Sequence, residues 1–354
     1  MVMPGSGGAQ PPHHDSDLMI FMNRRARRCK CSRYHRGVPA QPPTAELPLL
    51  QTLNLPVDGG HVLQVQEFGS PEGIAAVVIH GGPGSGSSPV LRRGFDGARW
   101  RVICIDQRGA GGSRPRGAIG HNTTPHLLAD LRLVREHFGI TRWFVSGGSW
   151  GASLAIAHAA DEPEVVSGLL LRSSFLARRE DIHGFFGGAA AQARPQAWQR
   201  LRQAIAEPLL PTLARLLAEG TLQEQEHAAS AWWAWEQALA MDADDAPLQG
   251  EALARQVDRL RVQAHYLMHD CWLDAPPLLE RCALLPRVPT LLIHARDDLV
   301  CPAAGASALH ERLQHARLQW LAEGGHDAGH PLMTAATATA LARFAQSGDF
   351  AVTP

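Results

Sequence analysis

Long apolar runs are missing from this chain. None approaches the roughly 20 residues needed to span a bilayer, which excludes a helical membrane protein. The N-terminus also lacks the order of a secretory signal. Asp15-Ser16-Asp17 precede only a brief apolar stretch from Leu18 to Met22, and the basic residues follow it. Cysteine is sparse: Cys29, Cys31, Cys104, Cys271, Cys282 and Cys301 make six in 354 residues, too few for a disulfide scaffold of this length. Cys29 and Cys31 have one residue between them, a spacing that fits neither a redox pair nor half of a zinc knuckle without further ligands. Excess charge is absent too. The formal net charge is −1, so no global field draws in nucleic acid or an anionic membrane. A soluble protein of a reducing, cytoplasmic compartment is expected. Tyrosine is scarce, with 2 residues against 9 tryptophans, and several of the tryptophans crowd into one short stretch.

What is present divides into three parts. Residues 1–45 are rich in Gly, Pro, His and Arg, with a basic run from Arg24 to Arg36 and no apolar periodicity. Such a segment cannot bury enough surface to offset its ordering entropy. It reads as a disordered basic tail rather than a nucleic-acid or membrane tether. Residues 46–174 and 280–354 alternate short β-branched runs with helical patterns. Strand signals occur at His61–Phe68, Ala75–Ile79, Val102–Ile105, Trp143–Val145, Gly168–Leu171, Pro289–His294 and Arg317–Leu321. Helical spacing covers Asp130–Phe138, stopped by Gly139, and Ala152–Ala160, closed by Pro163. Strands separated by helices imply an α/β fold with a doubly wound, mostly parallel sheet. Between residues 175 and 279 the alternation stops. That stretch is Ala- and Leu-rich, with breaks expected at Pro208, Pro211 and Pro276, and reads as a helical cap inserted into the core.

Gly147-Gly148-Ser149-Trp150-Gly151 matches Gly-x-Ser-x-Gly, directly after a strand and directly before a helix. A serine on so sharp a turn needs small neighbours, because the backbone is strained and close to adjacent elements. A serine hydroxyl is a weak nucleophile near neutral pH, so it needs an imidazole base oriented by a carboxylate. In the α/β-hydrolase fold these follow the nucleophile as acid, then histidine. Asp297 and Asp298 follow one strand and His326 follows the next. Either aspartate could face the imidazole, and His330 and His294 are competing histidines. Acyl transfer also needs donors for a developing oxyanion. Gly82, in the loop His80-Gly-Gly-Pro-Gly84, and Trp150, just after the serine, offer backbone N–H groups. A phosphate-cradling loop is the rival reading. It fails because no Gly-Lys-Ser/Thr ending follows and Pro83 lacks a donor.

Together with the serine turn, His80-Gly-Gly-Pro-Gly84, Asp106-Gln-Arg-Gly-Ala-Gly-Gly-Ser113, Asn122-Thr-Thr124 and Arg296-Asp-Asp-Leu-Val-Cys-Pro302 resemble the prolyl aminopeptidases (proline iminopeptidases). The resemblance runs from about Pro56 to the C-terminal region. It implies removal of an N-terminal proline from a small peptide or aminoacyl substrate through a seryl acyl-enzyme, with neither cofactor nor metal. It also implies that Asp298 rather than Asp297 is the triad acid, and that His326 is the base. A Trp-x-x-Trp-Glu pattern ending at Glu236 implies an anchor for the substrate ammonium. The family's second glutamate falls on Gln263, which brings no charge. Phe175 and Cys301 are implied for the pyrrolidine pocket, and a family tyrosine falls on Phe186. The alternative from these departures is a hydrolase of the same fold acting on another small ester or amide. A non-catalytic binder built on the scaffold is disfavoured, since no triad member is missing.

Overall fold

The computed structural model describes residues 47–240 and 247–351. The reading of residues 1–45 as a tail, Cys29 and Cys31 included, lies outside the described residues.

Among the described residues, eight strands form one sheet: β1 (Leu49–Pro56), β2 (Val62–Gly69), β3 (Ile74–Ile79), β4 (Trp100–Ile105), β5 (Trp143–Gly148), β6 (Val166–Arg172), β7 (Thr290–Ala295) and β8 (Arg317–Leu321). Their order is β1-β2-β4-β3-β5-β6-β7-β8. β2 runs antiparallel to both its neighbours, and every other pairing is parallel. The central strands are apolar throughout because both faces are covered. Val77, Ile103, Val145 and Leu169 face one way, into a layer holding α1 (Thr124–His137) and α2 (Trp150–Asp161). Their neighbours Val78, Val102, Phe144 and Leu170 face the other way, against Met333, Leu341 and Phe344 of the last helix (Pro331–Ser347). The period of two along each strand thus separates two cores. Each fully buried Val, Leu or Ile contributes about 1.5–3 kcal/mol.

α2 is the most enclosed helix, with Trp150 to Ala159 all buried, which is why its sequence carries no polar stripe. Among the described residues between β6 and β7 there is no sheet strand, and the α-helices are α3 (Arg179–Phe185), α4 (Gly188–Ala193), α5 (Pro195–Ala204), α6 (Leu209–Glu219), α7 (Leu222–Ala240), α8 (Gly250–Met268) and the short α9 (Leu278–Arg281). Leu201, Leu213, Leu217, Trp232, Trp235 and Leu260 make their shared core. α10 (Ala303–Arg312) and α11 (Pro331–Ser347) complete the layers. Among the described residues no helix is long and apolar enough to cross a membrane.

Three sequence expectations are adjusted. β1 is not among the strand signals, because it is an edge with six of its eight residues exposed and only Leu53 and Leu55 half-buried. α1 begins at Thr124, six residues before the apolar spacing suggests, with Pro125 in its first turn. Pro211 does not break a helix: it lies in the first turn of α6, where a missing N–H has no intrahelical acceptor to lose.

Candidate active site

Ser149 sits between the end of β5 and the start of α2 with φ 56° and ψ −126°. This is backbone that an L-residue adopts only at a cost. The surrounding glycines are required by space. A Cβ on Gly147 would lie 2.2 Å from the carbonyl oxygen of Gly151, and one on Gly151 would lie 2.3 Å from that of Ile79. The Ser149 N–H donates to the carbonyl of Arg172, the last residue of β6, at 3.0 Å. The turn is therefore pinned on the sheet side while the hydroxyl stays accessible.

Asp298 follows β7 and His326 follows β8, and the parallel pairing of these strands brings both loops to the same sheet edge as Ser149. The Ser149 hydroxyl and His326 Nε2 are 3.0 Å apart. On the other side of the ring, Nδ1 donates to Asp298 Oδ2 at 2.8 Å. The second oxygen of Asp298 accepts the N–H groups of Val300 and Cys301 at 2.9 and 2.8 Å. Burial alone pushes the Asp298 pKa up, but the charge and hydrogen bond of His326 outweigh it and hold the carboxyl below its usual range. Burial pushes His326 down, yet Asp298 together with Cys301 raises it well above an ordinary histidine. Both shifts describe one coupled pair, in which the imidazolium is the form that Asp298 favours.

The neighbouring candidates have other partners. Asp297 is exposed and accepts the N–H groups of Gly324 and Gly325. His330 caps α11, accepting the Leu332 N–H at 3.3 Å. His294 is buried beneath Asp298 and donates to the Cys301 carbonyl at 2.8 Å.

The glycine-rich loop after β3 passes over the serine. A Cβ on Gly81 would stand 3.4 Å from Ser149 Cβ and 3.9 Å from Oγ, so the loop that carries Gly82 runs beside the nucleophile. Trp150 is the first residue of α2, so its N–H has no intrahelical acceptor. A network that composition alone does not reveal fixes this loop. His80 Nε2 accepts the Gln107 N–H, the Gln107 side-chain amide donates to the His80 carbonyl, and the Trp150 indole donates to Gln107 Oε1 at 2.9 Å. Burial pushes the His80 pKa down, keeping it the neutral ring that accepts at Nε2. Asp106 accepts from Ser87 and Gly112, and buried Arg108 forms a two-pronged pair with Asp130 at 2.8 and 2.7 Å. The Asp106–Ser113 motif thus works as a clamp on the loop. Its signal was the motif itself.

Phe175 is half-buried, its N–H reaching the Ser149 carbonyl at 3.5 Å. Cys301 is buried. Burial raises its thiol pKa and the adjacent His326 partly offsets that rise. Phe186 packs edge-on against Trp232 with ring centres 5.2 Å apart, and Trp235 donates its indole N–H to the Phe185 carbonyl. Trp232 and Trp235 are thus packing residues. Trp233 instead faces the guanidinium of Arg259, 5.8 Å from its ring centre.

Glu236 and Gln263 do come together, with a partner that the sequence reading missed. Gln263 Nε2 donates to Glu236 Oε1 at 3.0 Å. Arg259 Nη2 donates to Glu236 Oε2, and Arg259 Nη1 donates to Gln263 Oε1 at 3.0 Å. The clue was helical spacing, since Arg259 lies four residues before Gln263 on α8.

A family profile described as the alpha/beta hydrolase fold matches residues 76–330. A probable proline iminopeptidase of Leptolyngbya boryana is 35% identical over 294 residues, covering 81% of this chain and 90% of that protein. A proline iminopeptidase of Xanthomonas citri is 35% identical over 293 residues, covering 81% of this chain and 94% of its own. In fold, the crystal structure of the Mycobacterium smegmatis proline iminopeptidase aligns with a TM-score of 0.59, at 19% identity, over 84% of this chain and 100% of that one. With such relatives matched over nearly their whole length, this chain belongs to the proline iminopeptidase family of α/β hydrolases.

Proposed function

We propose that this protein is a serine aminopeptidase of the cytoplasm that releases an N-terminal proline from small peptides or aminoacyl compounds. The observation that carries the proposal is the unbroken relay from Ser149 Oγ through His326 to Asp298, at 3.0 and 2.8 Å, in a chain of this family. Ser149 attacks the substrate carbonyl while His326 Nε2 takes its proton. The N–H groups of Gly82 and Trp150 receive the oxyanion, each worth about 3–4 kcal/mol in favourable cases. His326 then returns the proton to the leaving amine, which departs as the C–N bond breaks and leaves the seryl ester. Water attacks that ester with His326 again as base, freeing the carboxylate and restoring the serine. Phe175 and Cys301 line the acyl side. The helices of residues 175–279 act as a cap over residues 46–174 and 280–354. The near-zero net charge supports a small-molecule substrate over nucleic acid or a membrane surface.

Ser149→Ala should abolish hydrolysis of Pro-β-naphthylamide with the thermal transition retained. Residual turnover at the wild-type rate would remove Ser149 from the mechanism. A second reading, a hydrolase of small amides or esters with no strict need for a free amine, is favoured by one feature: each oxygen of Glu236 already accepts a hydrogen bond, from Arg259 and from Gln263.

A further inference from the structure

Away from Ser149, three side chains that hydrolysis does not use converge on one point. Asp58 lies in the turn between β1 and β2, His121 in the loop before α1, and His126 in the first turn of α1. Each directs a ligand atom at the other two, and these atoms lie within 4.8 Å of one another. His126 Nε2 and Asp58 Oδ2 are 3.7 Å apart. The cluster is separate from the catalytic relay, because β4 and β3 stand between β2 and β5.

The surroundings hold these groups in place. Thr123 Oγ1 and His126 Nδ1 are hydrogen-bonded at 2.7 Å, which orients the ring and leaves Nε2 toward Asp58, as the outer partners of ligating histidines do. His121 has φ 50° and sits directly over Gly59, where a Cβ would collide with the imidazole-bearing side chain. Charge favours a cation. Arg108, with its side chain 1% exposed, pairs with both Asp130 and Asp58, so two carboxylates share one guanidinium and one negative charge is left over. Arg108 takes Asp58 Oδ1, and Oδ2 faces the histidines. The positive end of α1 opposes a cation, but at a surface that is worth only about a two- to fivefold step in affinity.

We propose that Asp58, His121 and His126 form a binding site for one divalent transition-metal ion of the Zn²⁺, Ni²⁺ or Cu²⁺ class, which clips the β1–β2 turn to α1. Two imidazole nitrogens and one carboxylate oxygen suit these ions, whereas Ca²⁺ and Mg²⁺ call for oxygen ligands throughout. Metal–ligand bonds of about 2.0–2.1 Å in a tetrahedron set the ligand atoms about 3.4 Å apart. The exposed Asp58 and His121 side chains therefore close by about an ångström, and water fills the fourth position. The ion stabilises the fold and takes no part in hydrolysis.

Isothermal titration of the full chain with Zn²⁺ tests the site. The sequence holds 18 histidines and six cysteines, so the readout is the difference between the wild type and two variants. His121→Asn suits the left-handed backbone, and His126→Gln keeps the helix. Wild type should take up one more equivalent of Zn²⁺ than either variant. Its thermal midpoint should rise by about 3 °C more than theirs at a hundredfold excess over Kd. Ca²⁺ should produce neither effect. Without metal, all three chains should label equally with a fluorophosphonate at Ser149. A second measurement needs no variant: Zn²⁺ should protect His121 and His126 of the wild type from diethyl pyrocarbonate at least fivefold, read by peptide mass spectrometry, while the exposed His137 reacts as before. Equal uptake by the three chains, unprotected His121 and His126, or the same response to Ca²⁺ overturns the proposal.

Discussion

Asp297 accepts the backbone N–H of Gly325 at 2.9 Å, one residue ahead of the His326 ring that its neighbour Asp298 holds at 2.8 Å. Two adjacent carboxylates thus fix one histidine, one through the main chain and one through the side chain. Their removal should differ in size. Asp298→Asn loses the acceptor for Nδ1–H and lets the ring take the wrong tautomer, a defect worth about 10⁴-fold in kcat. Asp297→Ala loosens the loop but leaves the imidazole's own partners in place, so about a tenfold loss is expected. Steady-state kinetics on Pro-β-naphthylamide compare them. Equal losses would mean that Asp297 is not merely holding the loop.

The pH profile follows from the same pair. His326 must be neutral to accept the serine proton, and its pKa is raised: burial opposes the shift, and the charge of Asp298 outweighs burial. Activity should therefore fall on acidification through a midpoint above the ordinary histidine value of 6.5. In Asp298→Asn that midpoint should move down, because burial then acts unopposed by the carboxylate. Stability runs in the opposite sense. The raised His326 pKa adds stability fully below the unfolded value and loses it as pH rises through the folded one. The lowered Asp298 pKa adds stability above its unfolded value of 3.8 and loses it as pH falls through the folded one. The pair's contribution is thus greatest between about pH 4 and 6.5. Thermal melts of wild type and Asp298→Asn should diverge most there; a gap that widens at pH 9 would contradict the pairing.

Most of the sheet was legible because its strands are buried on both faces and read as uninterrupted apolar runs, as at Ala75–Ile79 and Val102–Ile105. β1 was not, since six of its eight residues are exposed and nothing distinguishes such an edge from a loop. The positions of Ser149 and His326 were readable because strand ends dictate where loops converge. The division between Asp297 and Asp298 needed a family pattern, as both sit at the same strand end. Arg259 was only half legible, since its spacing to Gln263 could be read but its pairing with Glu236 could not. Its partner Glu236 is on another helix, 23 residues away, and only the packing of α7 against α8 joins them.

Arg172, at the end of β6, is a buried cation. Its residue is 4% exposed, and its Nε and Nη2 find no hydrogen-bond partner among the described residues. Burial pulls its pKa down to about 10, the expected response of a desolvated cation. Arg172→Met keeps the length and removes the charge, leaving the backbone carbonyl that holds Ser149 untouched. Stability should rise by about 2 kcal/mol, measured as a higher urea midpoint at unchanged slope. A lower midpoint would show that the guanidinium has a compensating partner.

The strain at Ser149 can be separated from its chemistry by comparing two inactive variants. At φ 56° and ψ −126° a residue with a Cβ costs on the order of 1–3 kcal/mol, and glycine is nearly free of that cost. Ser149→Ala deletes the hydroxyl and keeps the strain; Ser149→Gly deletes both. At an ordinary helical or extended position glycine is the less stable of the two by about 0.5–1 kcal/mol, because it loses more freedom on folding. Here the order should invert, with Ser149→Gly more stable than Ser149→Ala by about 1 kcal/mol once strain relief and the entropy penalty are combined. Both variants lack the nucleophile, so neither catalysis nor the His326 contact enters the difference. Chemical denaturation of the two reads it directly. The normal order, with alanine more stable, would mean that the turn relaxes at no cost and that Gly147 and Gly151, rather than residue 149, bear the strain of the elbow.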